Sequence, residues 1–357
     1  MRRLLLSAFL VFFAASFAAS AAPDADRWAS LAQKFQSEYP NNGPGAYMIA
    51  AVGGRDVFSS AFGKGDLEHD QPLTADSVVR IASLTKQFTS VAVLLLVQDG
   101  RLKLDEPLDR VLADCPSAWR KITIRQLLNQ TSGLTDDLSP LYAHLTTDMT
   151  PDQLLGVYAN LPLLSPPGEK WRYSNLNYWI LGKAIATIAK EPYADFVMQH
   201  VIVPGMTRTR YGSHDAIIPG RAPGYESDSK GGWINARYFS PTLGYAAGGF
   251  VSTPADMVVW YAALASGEII APGTLALALT PGRTNDGKRT GYGLGWYLST
   301  ENGIRIAHHG GSTFGFQSSI YWIPSRKLLV CVFKNSSDDR GEPDNDAHAL
   351  LTEILKR

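Results

Sequence analysis

The segment Ser83-Leu84-Thr85-Lys86 places a serine hydroxyl and a lysine amine three residues apart. At that spacing both side chains lie on one face of a helix, so the amine can take the hydroxyl proton or stabilise the alkoxide. A helix N-terminus at Ser83 would favour the negative charge that develops on its oxygen. The spacing predicts a nucleophile, Ser83, with Lys86 as proton partner. A second copy, Ser227 to Lys230, has no apolar helix behind it, and we interpret it as a solvated loop.

A second candidate is Tyr173-Ser174-Asn175. A tyrosine facing the serine can relay a proton to a leaving group, and an asparagine can bind a substrate amide or orient the lysine. A Pro-Gly pair precedes this segment and a helical pattern follows it, which predicts a turn, where reactive side chains are usually presented. Two similar triplets begin at Tyr39 and Tyr158. The first lies before the nucleophile helix, and the second lies in an amphipathic segment where its tyrosine is expected to pack.

The third candidate is His308-His309-Gly310-Gly311-Ser312, at the end of an alternating strand pattern. If the isoleucines that precede it face a core, His309 faces the opposite side, towards a cleft. The two glycines would let a substrate approach the strand backbone. The amide of Ser312 could then join that of Ser83 in an oxyanion hole, whose donors are each worth roughly a hundredfold in rate. Taken alone, however, a histidine pair in a strand indicates no function.

The surrounding pattern must position these residues. A helix from Ser83 to Asp99 has an apolar second half on all sides, so it must be enclosed at the centre of its domain. Strands are predicted near both chain ends, at 46–52, 57–62, 292–298, 304–309, 318–323 and 328–334, with a closing helix at 346–356. We therefore predict an α+β fold, with an antiparallel sheet built from both ends of the chain and flanked by helices.

Helical segments dominate the middle of the sequence, at 124–130, 151–160, 177–189 and 194–203. We predict a sheet domain from residues 22–107 and 241–357, and a mostly helical inserted region at 108–240. A further helix is predicted to start at Thr253, Pro254 and Asp256. Thr253 would cap this helix, and the Asp256 side chain would bond back to the Thr253 amide in a capping box.

Residues 1–21 have the organisation of a signal peptide. Arg2 and Arg3 precede an apolar run that is too short to span a bilayer comfortably, and Ala19-Ser20-Ala21 fits a cleavage site. We therefore expect a periplasmic or secreted protein. The cleavage site has no cysteine for a lipid anchor, and no later apolar stretch is long enough to span a membrane.

Composition excludes several other classes of protein. Lys plus Arg and Asp plus Glu each number 33, so nothing indicates a nucleic-acid partner. The 7 His residues do not cluster with Cys or Asp at ligand spacing, so we expect no metal. Cys115 and Cys331 lie far apart in sequence, and Cys331 is predicted to be a buried thiol; pairing between them stays open.

In their order, Ser-x-x-Lys, Tyr-x-Asn and His-x-Gly resemble the motifs of the serine β-lactamase-like family, which includes class C β-lactamases, D-alanyl-D-alanine carboxypeptidases, D-aminopeptidases and esterases. The flanking segments are similar too, at 80–88, 124–134, 167–175, 247–256 and 291–296, and the resemblance as a whole covers essentially all of residues 28–357. The resemblance implies the β-lactamase/transpeptidase-like fold and selects Ser83 and Tyr173 over their alternatives.

The family's third motif has a glycine six residues after its first position. Gly315 follows His309 by six, so the resemblance assigns His309, rather than His308, to that position. Gln130 stands where many relatives have histidine, and we expect little consequence. His309 stands where class C β-lactamases have a lysine that holds the substrate carboxylate. Because a histidine near its reference pKa is mostly neutral at pH 7, efficient β-lactam hydrolysis is less expected.

These considerations predict an exported serine hydrolase that forms an acyl-enzyme on a small ester or on a peptide with a D-residue, without a cofactor. Ser83, Lys86 and Tyr173 would be catalytic, and Asn175, His309, Gly311 and Ser312 would bind substrate. Whether Lys86 or Tyr173 is the base stays open, as does the oligomeric state. The alternatives are a class C-type β-lactamase, a D,D-carboxypeptidase, and a catalytically silent protein that only binds a ligand.

Overall fold

The computed structural model describes residues 25–338 and 341–356 of the 357-residue chain. The predicted signal peptide, residues 1–21, lies outside the described residues. Among the helices of the described ranges, none combines the length and apolar character needed to cross a bilayer.

Helices occupy much of the middle of the chain, and the longer strands lie towards its two ends. The helices are α1 Ala25–Glu38, α2 Thr85–Gln98, α3 Ile124–Leu128, α4 Pro151–Gly156, α5 Asn175–Ala189, α6 Tyr193–His200, α7 Pro241–Gly248, α8 Pro254–Ser266, α9 Pro272–Ala278 and α10 Pro343–Leu355. The strands are β1 Ala46–Val52, β2 Arg55–Phe62, β3 Lys64–Asp66, β4 Gln71–Pro72, β5 Val79–Arg80, β6 Arg210–Tyr211, β7 Tyr225–Ser227, β8 Trp233–Asn235, β9 Phe250–Ser252, β10 Tyr297–Glu301, β11 Ile304–Thr313, β12 Phe316–Ile323 and β13 Leu328–Lys334.

A six-stranded sheet in the order β10-β11-β12-β13-β1-β2 joins the two ends of the chain. Every neighbouring pair is antiparallel, and β1 lies directly beside β13, with Ala46 opposite Lys334. Smaller sheets pair β3 with β4, β7 with β8, and β9 with both β5 and β6. The predicted α+β fold, with one antiparallel sheet from both chain ends, is confirmed. The proposed boundaries of the inserted region stay a prediction.

Both faces of the large sheet are covered, because alternate side chains of each strand enter different cores. In β1, Tyr47 and Ile49 alternate with Met48. The first two join a large core with α2, α5 and α8, whereas Met48 joins a smaller core beneath α1 and α10. The central strands are therefore buried on both sides, and they form a rigid support for residues at their edges.

The nucleophile segment begins α2 differently from the prediction. Residues Ala82–Leu84 form one 3₁₀ turn, and the α-helix starts only at Thr85. Most of α2 is fully buried, including its polar first turn, which confirms that this helix is central. Because α2 is enclosed on all sides, its first residues lie close to several other elements.

Two sequence predictions in the C-terminal half are wrong. The strand predicted at 292–298 starts at Tyr297 instead, because Gly295 has a positive φ of 99° and turns the chain back so that Tyr292 bridges Tyr297. Asp256 does not complete a capping box with Thr253: the Thr253 hydroxyl accepts a hydrogen bond from the Asp256 amide, but the Asp256 carboxylate turns elsewhere.

The Asp256 carboxylate fixes the segment before β6 against α8. Its Oδ2 accepts hydrogen bonds from the amides of Arg208 and Thr209, at 2.9 and 2.6 Å, and from the Thr209 hydroxyl at 2.7 Å. This carboxylate is buried, and it provides three donors with the hydrogen-bond acceptor that water would otherwise supply.

We predict that Asp256→Ala lowers the free energy of unfolding by about 3 kcal/mol, because it leaves buried donors without an acceptor. Thr253→Ala, which removes only the helix cap, should cost about 1 kcal/mol. Urea denaturation of both variants measures the difference. Equal losses in the two variants would contradict the role given to the carboxylate.

Candidate active site

Ser83 lies at the middle of the 3₁₀ turn that precedes α2, and its side chain is partly exposed. The residue before it, Ala82, has a positive φ of 46°, a conformation that residues other than glycine rarely adopt. Such strain is held only where the surroundings fix the backbone. The turn therefore presents the Ser83 hydroxyl at a defined position, at the N-terminus of a buried helix.

Lys86 is completely buried one turn after Ser83. Its Nζ donates hydrogen bonds to Ser83 Oγ at 3.0 Å, to Asn175 Oδ1 at 2.7 Å and to the carbonyl oxygen of Ala247 at 2.9 Å. These three acceptors match the three donors of an ammonium group. Burial lowers the pKa of Lys86 to about 7, and attraction by the Asp136 carboxylate partly opposes this shift.

Tyr173 stands just before α5, with its ring centroid 5.0 Å from Lys86 Nζ. Desolvation raises the pKa of Tyr173 well above its ordinary value, and interaction with the Ser83 side chain opposes that shift. Its hydroxyl therefore keeps its proton at neutral pH. The structure thus brings Ser83, Lys86, Tyr173 and Asn175 together from two separate parts of the sequence.

His309 is buried on the face of β11 that looks towards α2 and α5. Its Nδ1 lies 2.6 Å from the carbonyl oxygen of Gly310, which can only accept, so Nδ1 carries the proton. Its Nε2 therefore accepts from the Tyr292 hydroxyl, at 3.0 Å. Burial, reinforced by the nearby Lys86, lowers the pKa of His309 to about 3. The imidazole is neutral, and both of its ring nitrogens are engaged within the protein.

His308 points to the other face of the sheet, as the strand alternation predicts. Its ring stacks on Tyr321, with the centroids 5.0 Å apart and the planes 11° apart. Tyr321 and Ile306 belong to the smaller core beneath α10. Of the two neighbouring histidines, only His309 therefore lies on the side of Ser83.

Gly311 lies where β11 passes the nucleophile turn. A Cβ atom at Gly311 would stand 2.3 Å from the carbonyl oxygen of Ile81, 2.5 Å from Ser318 Oγ and 3.0 Å from the amide nitrogen of Ser83. Ser318 also donates to the Ile81 carbonyl at 3.0 Å. The strand and the turn thus approach so closely that a side chain at Gly311 has no room. Ser312, the next residue, lines a cavity together with Ser83.

That cavity has a volume of about 470 Å³ and opens in front of Ser83. Besides Ser83 and Ser312, Asn175 lines it, whereas Lys86, Tyr173, His309 and Gly311 are not among its lining residues. Most of the remaining lining is apolar: Leu138, Leu141, Tyr142, Trp179, Leu243 and Phe314. The arrangement is that of a reactive hydroxyl at the base of a mainly apolar cleft.

Sequence reasoning missed Asp136. Its Oδ1 accepts hydrogen bonds from the amide and the Nδ2 of Asn175, at 2.6 and 3.1 Å. This fixes the orientation of the Asn175 side chain, whose oxygen then faces Lys86. The only signal in the sequence was the position of Asp136 two residues after the segment 124–134, which resembles the family.

Gln130 contacts the second motif directly, and the small consequence expected from a glutamine where many relatives have histidine stays a prediction. Its side-chain oxygen accepts hydrogen bonds from the Ser174 amide, at 3.0 Å, and from Asn177 Nδ2, while its carbonyl oxygen accepts from the Arg172 amide at 2.9 Å. Gln130 has a φ of 64°, so its backbone and side chain both reach the same turn. It thereby clamps the chain on both sides of Tyr173.

The similar motifs lie elsewhere. Ser227 to Lys230 span the turn between β7 and β8, where the Asp228 carboxylate accepts from the amides of Lys230 and Gly232. Tyr39 donates to Asp346 beneath α10, and Tyr158 packs against Trp179. Both cysteines are free and buried. In the ranges that the structure describes, no three His, Cys, Asp or Glu side chains group as metal ligands.

A serine hydroxyl on a strained turn, 3.0 Å from a buried lysine amine, is an arrangement found in serine hydrolases. A family model described as Beta-lactamase matches residues 31–353, and the chain belongs to this family.

Similar proteins agree with this assignment. Penicillin-binding protein 4* of Bacillus subtilis is 30% identical over 320 residues, which cover 83% of this chain and 69% of that protein. Protein flp of Staphylococcus aureus is 26% identical over 312 residues, but the chain spans only 60% of its length. The crystal structure of D-amino acid amidase from Ochrobactrum anthropi SV3, complexed with L-phenylalanine amide, superposes with a TM-score of 0.79 and 26% identity over 93% of this chain and 98% of that one.

We predict that Gly311→Ala reduces kcat/KM for a p-nitrophenyl ester at least about a hundredfold, because its Cβ would push β11 away from the nucleophile turn, and a 1 Å displacement can cost that much. Gly310→Ala is the matched control, since its Cβ would meet only the Ser318 carbonyl oxygen, at 3.6 Å. Circular dichroism establishes that both variants fold. Equal activity in the two would show that the close approach at Gly311 has no catalytic importance.

Proposed function

We propose that this protein is an exported hydrolase that cleaves small esters, or amides and peptides of a D-residue, through an acyl-enzyme on Ser83. The observation that carries the proposal is the buried Lys86 amine, 3.0 Å from Ser83 Oγ, with a pKa lowered to about 7. Export is proposed from the signal-peptide pattern of residues 1–21.

A lysine with a pKa near neutrality supplies an unprotonated amine in useful amounts at pH 7, and this favours Lys86 as the base. Tyr173 is suited to the opposite role. Because its pKa is raised, it holds its proton until the leaving group needs one. The geometry thus favours one assignment of the two roles that the sequence left open.

In the proposed acylation, Ser83 Oγ bonds to the substrate carbonyl carbon while its proton passes to the neutral Lys86 amine. The carbonyl electrons move to oxygen, where the amides of Ser83 and Ser312 would stabilise the oxyanion. When the tetrahedral adduct collapses, the bond to the leaving group breaks. That group takes a proton from Tyr173, which is replenished from Lys86. Water then attacks the acyl carbon while its proton passes through Tyr173 to Lys86. When this second adduct collapses, the bond to Ser83 Oγ breaks, Oγ takes the proton back from Lys86, and the acid is released.

The substrate assignment is supported by the cleft and by one relative. A mainly apolar cavity of about 470 Å³ suits a small molecule with an apolar side chain. The similar D-amino acid amidase supports amides of D-residues. A class C-type β-lactamase or a D,D-carboxypeptidase is less favoured, because neutral His309 offers no positive charge to a substrate carboxylate.

A catalytically silent binding protein is the alternative from another class. Such a protein would not need to bury a lysine amine at the cost of desolvating it. The hydrogen bond between Lys86 and Ser83 at 3.0 Å therefore speaks for catalysis.

We predict that the protein hydrolyses a short p-nitrophenyl ester faster than a chromogenic cephalosporin, and that Ser83→Ala lowers ester turnover by at least about a thousandfold. Initial rates with both substrates, for the protein and the variant, give the comparison. Fast Ser83-dependent cephalosporin turnover would favour the β-lactamase alternative. If neither substrate shows Ser83-dependent turnover, the esterase proposal fails.

The pH dependence tests Lys86 as the base. We predict that kcat/KM rises with pH through about 7, as Lys86 loses its proton. Asp136 attracts the ammonium form and so raises the pKa of Lys86. Asp136→Asn should therefore move this acidic limb to lower pH, while the amide oxygen keeps an acceptor for Asn175.

Asp137→Asn is the control for that shift, because it removes an exposed carboxylate from the adjacent position. The Asp137 variant should keep the limb where it is. An unchanged limb in the Asp136 variant, or an equal shift in both, would contradict the role of Lys86 as the titrating base.

A further inference from the structure

The cavity in front of Ser83 carries a single formal charge among the described residues that line it, the carboxylate of Glu226. Of these described lining residues, none is a lysine, an arginine or a histidine. A carboxylate in a mainly apolar wall is costly unless a partner compensates it. Charge complementarity therefore bears on which substrates can enter.

Glu226 is held on a firmly attached hairpin. It is the middle residue of β7, whose neighbouring Tyr225 is buried and bonds through its amide and carbonyl groups to Asn335 and Ser337, each at 3.0 Å. Successive side chains of a strand point to opposite sides, so burial of Tyr225 directs Glu226 to the cavity. This side chain is half-buried, and within the described ranges its carboxylate has no hydrogen bond or ion pair.

Among the described residues, the cations on segments next to the cavity are engaged with other groups, and none of them lines it. Arg80 donates to the carbonyl oxygen of Phe239 at 2.7 Å. The Arg237 guanidinium stands over the ring of Phe314, 5.4 Å from its centroid. Lys86 donates to its three acceptors. The space itself therefore faces a negative charge.

We infer that Glu226 is a specificity-determining residue that binds a cationic group of the substrate, such as the free ammonium group of an amino-acid amide, ester or short peptide whose side chain fills the apolar wall. The cavity would favour cations over neutral molecules and disfavour carboxylates. This inference rests on the proposed function for its substrate, but the binding preference can be measured without catalysis.

Three probes of similar size and shape test the preference: phenethylamine, 2-phenylethanol and 3-phenylpropanoate. Isothermal titration calorimetry gives their Kd values, and competition against p-nitrophenyl ester hydrolysis gives their inhibition constants. We expect phenethylamine to bind at least about tenfold more tightly than the other two, a size typical of one charge-assisted hydrogen bond.

Two substitutions assign the preference to Glu226. Glu226→Gln keeps the shape of the side chain and should reduce the preference for the amine to less than about twofold. Glu226→Lys should reverse it in favour of 3-phenylpropanoate. Glu268→Gln removes an exposed carboxylate between α8 and α9 and should leave the preference unchanged. A preference that persists in Glu226→Gln, or that is absent from the unmodified protein, overturns the inference.

The same probes separate this inference from the proposed function. If Ser83-dependent ester hydrolysis is present but phenethylamine binds no better than 2-phenylethanol, the inference fails and the proposed function stands. If no ester is hydrolysed but the amine preference follows Glu226, the cation site stands and the proposed catalytic function fails. With both present, D-phenylalanine p-nitroanilide should show a higher kcat/KM than 3-phenylpropionic acid p-nitroanilide.

Discussion

The Lys86 amine is buried away from water, so the surrounding protein has to supply the hydrogen-bond acceptors that water would otherwise provide. Three acceptors do so, and each comes from a different part of the chain: the turn before α2, the first residue of α5, and the end of α7. The third acceptor is the carbonyl oxygen of Ala247. Its position depends on the earlier residue Tyr245, whose φ of 38° departs from helical geometry. Satisfying one buried amine thereby fixes the relative positions of three walls of the cleft.

The same dry environment keeps His309 neutral beside Lys86. Two cations so close in a low-dielectric interior would repel each other, and burial penalises both, so the imidazole gives up its charge and bonds to Tyr292 and Gly310. Lys86 therefore titrates near neutrality, whereas the His309 imidazole does not. A lysine at position 309 would bring a second ammonium next to the first.

Much of the fold and of the site could be predicted from sequence, because some properties are visible in short patterns. The double-sided burial of β1 and β13 follows from their apolar runs, and the face of His309 follows from strand alternation. What could not be predicted depends on backbone conformation. The positive φ of Gln130 lets it clamp the second motif, and that of Gly295 shortens β10. Asp136 acts on Lys86 both by its charge and by orienting Asn175, and the separation of these residues in the sequence gives no sign that they lie close together.

The position of β1 beside β13 has a consequence for the order in which the molecule can form. β1 cannot pair with β13 until almost the whole chain is available. Likewise, Gly311 can contact the Ser83 turn only when β11 is in place. Pairings between such distant segments form slowly. A growing or truncated chain can contain Ser83, Lys86 and Tyr173 and still lack an assembled site, so reactivity appears as a last step of folding.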